Sequence, residues 1–563
     1  MTSLTTICAN WTPENSECKK EGRATCKGCF LITYCNKTCQ VAHWSEHRKD
    51  CKSTLNKETW QPAWVLERRF PVLTQGGLEM FERRKYLWGT DAAIDILKLA
   101  SNEGESYAVD LRLLFAASGD LRNVVKTVAD LPSTYTGSLD ITINDRDEDV
   151  VIRNAILLLI ALVVDDPNEA IDCIIHLWYS ALVRESDIRV LSDRIRPLIQ
   201  DVCNTRIDHG PSVPLSKTWT FGPCSLSITL ARAVWSRLLS YCNIPSDLTA
   251  ASAQKIRTEQ VFGASEKDLH EEHMIFLSPR QRLAYHKFRQ DGLLLPFGHP
   301  RDDFVQPNPT LFQYKGIWPL MVRANPLRGW SLKDVLETPS GPATADLYGK
   351  LFCYLRKTLT LFVERLSSTR IAFQFHHTTA SYLVEGLDEG SFDRIELSNL
   401  ADNNYMGAYH TLSTMVPVLR TPQQNPHATL ITLFASAISD VATLEEGISL
   451  MFADSETKQL LDRYSPGTGP RSPFDAASLK EASALQLFAP VDRLFDRYLK
   501  TFAVMDVASR VGAMIKEPHS IVAKWPYRMR LRPDQEGALQ ELELCLREIR
   551  SSRERYVEWK RSV

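Results

Sequence analysis

The chain lacks the features that would place it in several large classes. No apolar run is long enough to cross a bilayer: the longest, residues 155–164, stops at Asp165 and Asp166, well short of the roughly 20 residues a membrane helix needs. Nor is there an excess of either charge. The 66 Lys and Arg stand against 68 Asp and Glu, a formal net charge of −2, so no global field draws the protein to nucleic acid or to an anionic membrane. The opening stretch, MTSLTTICANWTPENSE, has neither a basic n-region nor an apolar h-region, so no secretory leader is expected and the expected compartment is reducing, cytoplasmic or nuclear. GxSxG, HExxH and GxxxxGK[ST] are all missing, which removes the signatures of common hydrolase, metalloprotease and nucleoside triphosphatase chemistry. No internal repeat and no low-complexity tract interrupts the 563 residues.

What remains is an ordinary globular composition, 44% hydrophobic and 24% charged, in a chain long enough for several domains. Cysteine alone is unevenly spread. Of the 13, Cys8, Cys18, Cys26, Cys29, Cys35, Cys39 and Cys51 fall before residue 52, while Cys173, Cys203, Cys224, Cys242, Cys353 and Cys545 stand singly. In a protein that is not secreted, a dense cluster reads as metal rather than disulfide. The scattered six read as small buried hydrophobes.

Spacing sharpens the metal reading. Cys26-Lys-Gly-Cys29 is a CxxC knuckle able to place two thiolates on one ion. Cys35 and Cys39 lie one helical turn apart, and His47 and Cys51 repeat that interval. With Cys8 and Cys18 the donors number eight, enough for two closed tetrahedral sites. His43 shares the four-residue spacing but is read as a helix-surface histidine beside Trp44, since eight donors already satisfy two ions.

The stretch YCNKTCQVAHWSEHRKDC resembles the MYND zinc finger family. The resemblance implies interleaved zinc sites, Cys8, Cys18, Cys35 and Cys39 on one ion and Cys26, Cys29, His47 and Cys51 on the other. It also implies a protein-binding role, several relatives docking short proline-containing peptides. The first pair departs from the family's usual CxxC, nine residues separating Cys8 from Cys18. About fifty residues with so few large apolar side chains cannot bury a sufficient core unaided. Structural zinc contributes on the order of 10 kcal/mol to the folding of such fingers, and closed sites leave no position for catalysis. Residues 1–57 carry nine basic side chains and five acidic ones. With no base-reading helix in view, that charge reads as a solvated face, and direct nucleic-acid binding is not expected.

Beyond the finger the pattern becomes α/β. LRLLFAA at 111–117 is of strand length and meets Ser118-Gly119-Asp120 and a helical stretch at 121–131; a second strand, 139–143, ends near Asp145 before the apolar helix 150–164. Residues 371–375, 392–397 and 428–434 read as further strands, with a helix at 408–419, together a mostly parallel sheet. Residues 534–562 read as a charged helical tail with Leu539, Leu542 and Leu546 on one face. Expected domains are the finger at 1–55, two halves of an α/β body at 56–165 and 366–445, a mainly helical insertion at 166–365, and a helical region at 446–563.

Stretches such as YLWGTDAAIDIL, LLFAASGDLRNVVKTV and FDRIELSNLADNNYMG resemble a fungal family in which a MYND finger precedes an uncharacterised domain shared with the dynein axonemal assembly factor family. More distantly the body resembles class I S-adenosylmethionine-dependent methyltransferase folds. That second resemblance implies a cofactor loop at Ser118, Gly119 and Asp120, with Asp145 facing a ribose. The loop has one glycine and no acid ending its strand, where active relatives use more glycines to admit the cofactor. Asp165-Asp166 and Asp145 with Asp147 read as turn caps, and His376-His377 has no ligand partners at suitable spacing. The leading functional expectation is a zinc-dependent protein-binding adaptor without catalytic residues. A divergent methyltransferase and a transcriptional regulator are the alternatives.

Overall fold

The computed structural model describes residues 6–11, 18, 20–72, 85–205, 210–263, 266–451, 455–466, 472, 474–548 and 552–562. Glu14, Glu17 and Lys19 of the finger's charge and part of the proline-rich connector at 466–473 lie outside them. The chain forms two compact units, one of residues 1–92, 156–207 and 235–360, the other of 93–155, 208–234 and 361–563.

The first unit contains the finger and a helical body. Helix Pro167–Tyr179 is buried along most of its length, as nine apolar or aromatic residues in thirteen dictate. Its end is an aromatic cluster: Trp178 stacks on Tyr179 with ring centroids 5.1 Å apart and meets Trp330 edge-on at 6.1 Å. Trp88 Nε1 donates to the Trp178 carbonyl at 2.6 Å, which keeps the indole satisfied inside.

The second unit is built on a nine-stranded mixed sheet. Its strands are β1 Leu111–Ala116, β2 Leu139–Asp145, β3 Pro214–Phe221, β4 Cys224–Ala231, β5 Ile371–His377, β6 Arg394–Glu396, β7 Thr429–Phe434, β8 Ala513–Ile515 and β9 Arg555–Arg561. Across the sheet they run β8-β9-β7-β6-β1-β2-β5-β4-β3. The six from β7 to β4 are parallel, Leu113 facing both Ile141 and Arg394, whereas β3, β8 and β9 join antiparallel. Every residue of β7 is buried, as strands covered on both faces require.

Two stretches differ from the sequence reading. Residues 214–231, expected within a helical insertion, form the β3–β4 hairpin, turning at Gly222 with φ +55°. Among the described residues of the tail, Ala538–Glu548 is a helix and Arg555–Arg561 is strand β9. There Val557 and Trp559 enter the core, and the charge of Glu558 is accommodated by N–H groups of Ser520, Ile521 and Val522 at 2.8–2.9 Å. Leu542 is buried against Tyr464 and Leu487, while Leu539 remains exposed.

Candidate metal centre

Short elements of the finger each present donors. Strands Ala24–Thr25 and Thr33–Tyr34 pair antiparallel, and the turn between them carries Cys26 and Cys29. Residue 28 must be glycine, because a Cβ there would lie 2.8 Å from Cys51 Sγ. Asn36 caps helix Lys37–Ala42, its side chain accepting the N–H of Cys39 at 2.9 Å. Helix Trp44–Cys51 then sets His47 and Cys51 one turn apart, with His47 buried.

The result is two clusters, Cys8 with Cys18, Cys35 and Cys39, and Cys26 with Cys29, His47 and Cys51; within each, all donor atoms lie inside 4.8 Å of one another. In the first, Cys18 Sγ is 3.5 Å from Cys35 Sγ and 3.4 Å from Cys39 Sγ, and Cys35 and Cys39 are 3.4 Å apart. In the second, the Cys26 and Cys51 sulfurs are 3.9 Å apart and Cys29 Sγ is 3.5 Å from His47 Nε2. Sulfurs bound to a tetrahedral zinc lie roughly 3.8 Å from each other, and a sulfur–nitrogen edge is roughly 3.6 Å. A disulfide needs about 2.05 Å. The edges therefore fit two zinc ions and no disulfide.

Electrostatics agree with the geometry. Burial pushes the Cys18 thiol up to about 12 and the Cys51 thiol up to about 11, and raises Cys29 and Cys35 as well. Thiols so crowded cannot ionise together without a cation, which bound zinc would supply. Burial holds His47 near 4, so its imidazole is neutral and has a lone pair to offer. Four donors per ion leave no open coordination position, and the centres are structural. His43 stands outside both clusters, its Nδ1 3.0 Å from the Tyr34 hydroxyl.

The finger is also fastened to the rest of its unit. The Ala345 N–H donates to the Phe30 carbonyl at 3.1 Å. Arg282 lies 4.7 Å above the Trp60 ring and donates to the Lys57 carbonyl. Beyond it, Arg69 forms a two-pronged pair with the buried Asp268.

The structure brings the candidate cofactor residues together and engages their polar groups with one another. The Gly119 N–H donates to Asp145 Oδ2 at 3.0 Å, and Asp145 Oδ1 accepts the N–H of Asp147 at 2.8 Å. Asn154 Nδ2 donates to the Gly119 carbonyl at 2.7 Å, Ser118 Oγ donates to the same carbonyl at 3.2 Å, and Asp120 is paired with Arg122 at 2.7 Å. Burial raises Asp145 above the usual carboxylate range. Asp147 and Asp166 act as helix caps, accepting the N–H groups of Asp149 and Asn168. His377 Nε2 meets the Arg146 carbonyl.

Residues 15–51 match the MYND finger family, and residues 87–183 match a domain of unknown function (DUF4470). No curated protein and no solved structure matches the chain. The finger match begins after Cys8, yet Cys8 completes the first cluster in space. The chain thus carries a MYND zinc finger with two zinc-binding clusters and a DUF4470 domain.

Proposed function

We propose that the protein is a zinc-dependent adaptor that holds a partner protein through its finger, in the cytoplasm or nucleus where thiols stay reduced. The observation that carries this reading is the pair of closed clusters: they build a rigid surface and leave no coordination site for chemistry. On that surface Val41 is 62% exposed, an apolar side chain without intramolecular cover on a helix fixed by zinc. A proline-containing segment is the partner chemistry that the family resemblance suggests, since its preformed extended conformation loses little entropy on docking. Affinity purification with the full chain and with Val41→Glu tests the reading. The variant should keep two zinc ions by native mass spectrometry and lose the partner; equal recovery of the partner by both would overturn it.

The strand order supports a second, narrower reading of the body as methyltransferase-like in fold. Parallel β5-β2-β1-β6-β7 flank antiparallel β9, with β8 at the edge. In this reading the cofactor loop has closed on itself through Asp145 and Asn154, and binding has been lost. Melting at millimolar S-adenosylmethionine should leave Tm unmoved; a rise would make the chain an enzyme candidate, because a ligand bound only by the native state must stabilise it.

A further inference from the structure

Within the first unit, helices Ala250–Val261 and Pro279–Asp291 and residues 318–324 border a cavity of about 10 Å³, room for one occupant about as large as a water. Most of its lining is aromatic or aliphatic: Trp88, Val261, Phe288, Trp318 and Leu320. Two cations share it, Arg257 and Arg289, which are 2% and 5% exposed, and no Asp or Glu lines it. A guanidinium keeps its charge wherever it stands, and burying one uncompensated is costly.

The two arginines are not equally served. Arg257 turns its donors to the end of helix Pro279–Asp291: Nη2 donates to the carbonyls of Arg289 at 2.7 Å and Phe288 at 3.2 Å, and Nη1 to that of Gln290 at 3.3 Å. The negative end of the helix dipole thus compensates it. Gly292, at φ +71°, permits the approach, since a Cβ there would stand 2.6 Å from Arg257 Nε. Arg289 has no such cover. Its Nη1 reaches the Ala324 carbonyl at 3.4 Å, and among the described residues its buried Nε and Nη2 have no partner. The acids of the neighbourhood are taken, Asp291 by Arg301 at 2.6 Å and the Leu293 N–H, and Glu272 by Arg323 at 2.8 Å. Nε–H and Nη2–H lie side by side on one edge of the guanidinium plane, the fork with which arginine grips anions. A water would accept from that fork and leave the charge unanswered.

We propose that the cavity is a site for a small monovalent anion, gripped by the Nε–H and Nη2–H fork of Arg289 and favoured by the second positive charge on Arg257. Two sources carry that chemistry: a halide ion, or the carboxylate of a very small acid. A tetrahedral oxyanion such as phosphate is too bulky for the space. Because Trp88 belongs to the matched stretch 87–183, the ion would tie that domain to the two helices. This goes beyond the adaptor reading and does not depend on it.

The test is thermal melting of the zinc-loaded full chain in sodium gluconate, whose anion is too large to enter, with gluconate replaced at constant ionic strength by bromide or by formate. A Tm that climbs with the logarithm of bromide or formate concentration is the expected result, because an ion bound only by the native state must stabilise it. The larger rise at equal concentration assigns the source, bromide a halide and formate a carboxylate. Arg289→Lys keeps the charge without the fork and should raise the concentration needed for a given shift by about tenfold or more. Arg289→Met should abolish the response, both variants retaining two zinc ions. A wild-type Tm indifferent to both anions up to about 0.1 M, beyond the weakest useful affinity, overturns the proposal and assigns the cavity to a water. So does an undiminished response in Arg289→Lys or Arg289→Met, which would place the effect elsewhere on the protein.

Discussion

At the scale of single residues, the sheet-bearing unit contains a fully buried ion pair. Arg394 and Glu103 have side-chain exposures of 0% and 1%, and Arg394 reaches both carboxylate oxygens at 2.8 Å. The guanidinium also donates to the carbonyls of Ile96, Leu97 and Asp393, and Asn425 bridges Glu103 to Asp393. Removing one partner leaves the other charge buried and uncompensated. Glu103→Ala should lower stability by about 3–5 kcal/mol, read as an earlier urea midpoint, while the double change with Arg394→Met should lose less. A second residue sets a pH dependence. Burial raises Asp346 to about 6, although the N–H groups of Phe297 and Gly349 hydrogen-bond its carboxylate. The folded protein therefore holds this proton more tightly than the unfolded chain does, and stability falls as pH rises from about 4 to about 6. Asp346→Asn should remove that share of the decline, so that its stability relative to wild type improves across the same interval. A constant difference would refute the assignment.

At the scale of elements, the finger's donors were legible because coordination demands residue types at intervals that survive without tertiary information. The interleaving predicts their independence: Cys29→Ser should lower the zinc count from two to one by native mass spectrometry, because no donor of the first cluster comes from the second. A chelator should take both ions and the finger's order with them, each ion contributing on the order of 10 kcal/mol. Core strands β1, β2, β5 and β7 were equally legible as apolar runs between turn residues. The hairpin was not read, although Leu215, Leu226, Ile228 and Leu230 alternate with polar residues around Gly222-Pro223; that alternation was the signal available. Strand β9, RYVEWKR, hides for a physical reason. Its charges mimic a solvated helix, and Glu558 is acceptable inside because the N–H groups of residues 520–522 and the Lys516 ammonium at 3.8 Å meet its carboxylate.

At the scale of the whole molecule, each compact unit draws on three separate stretches of chain, an arrangement that no local pattern announces. The finger belongs to the first of these units, and one small residue decides how closely it seats. A Cβ on Gly298 would stand 3.1 Å from Ile32 Cβ and 3.2 Å from Ala9 Cβ, closer than side chains pack without moving something. Gly298→Leu should therefore push the finger from its seat without disturbing either cluster. Overpacking of this kind costs about 1–3 kcal/mol, and Tm should fall by several degrees while two zinc ions stay bound. Trypsin should then cut faster near Lys57 and Arg69, whose contacts with Arg282 and Asp268 depend on that seating. If melting and cleavage remain those of wild type, the finger is tethered rather than packed.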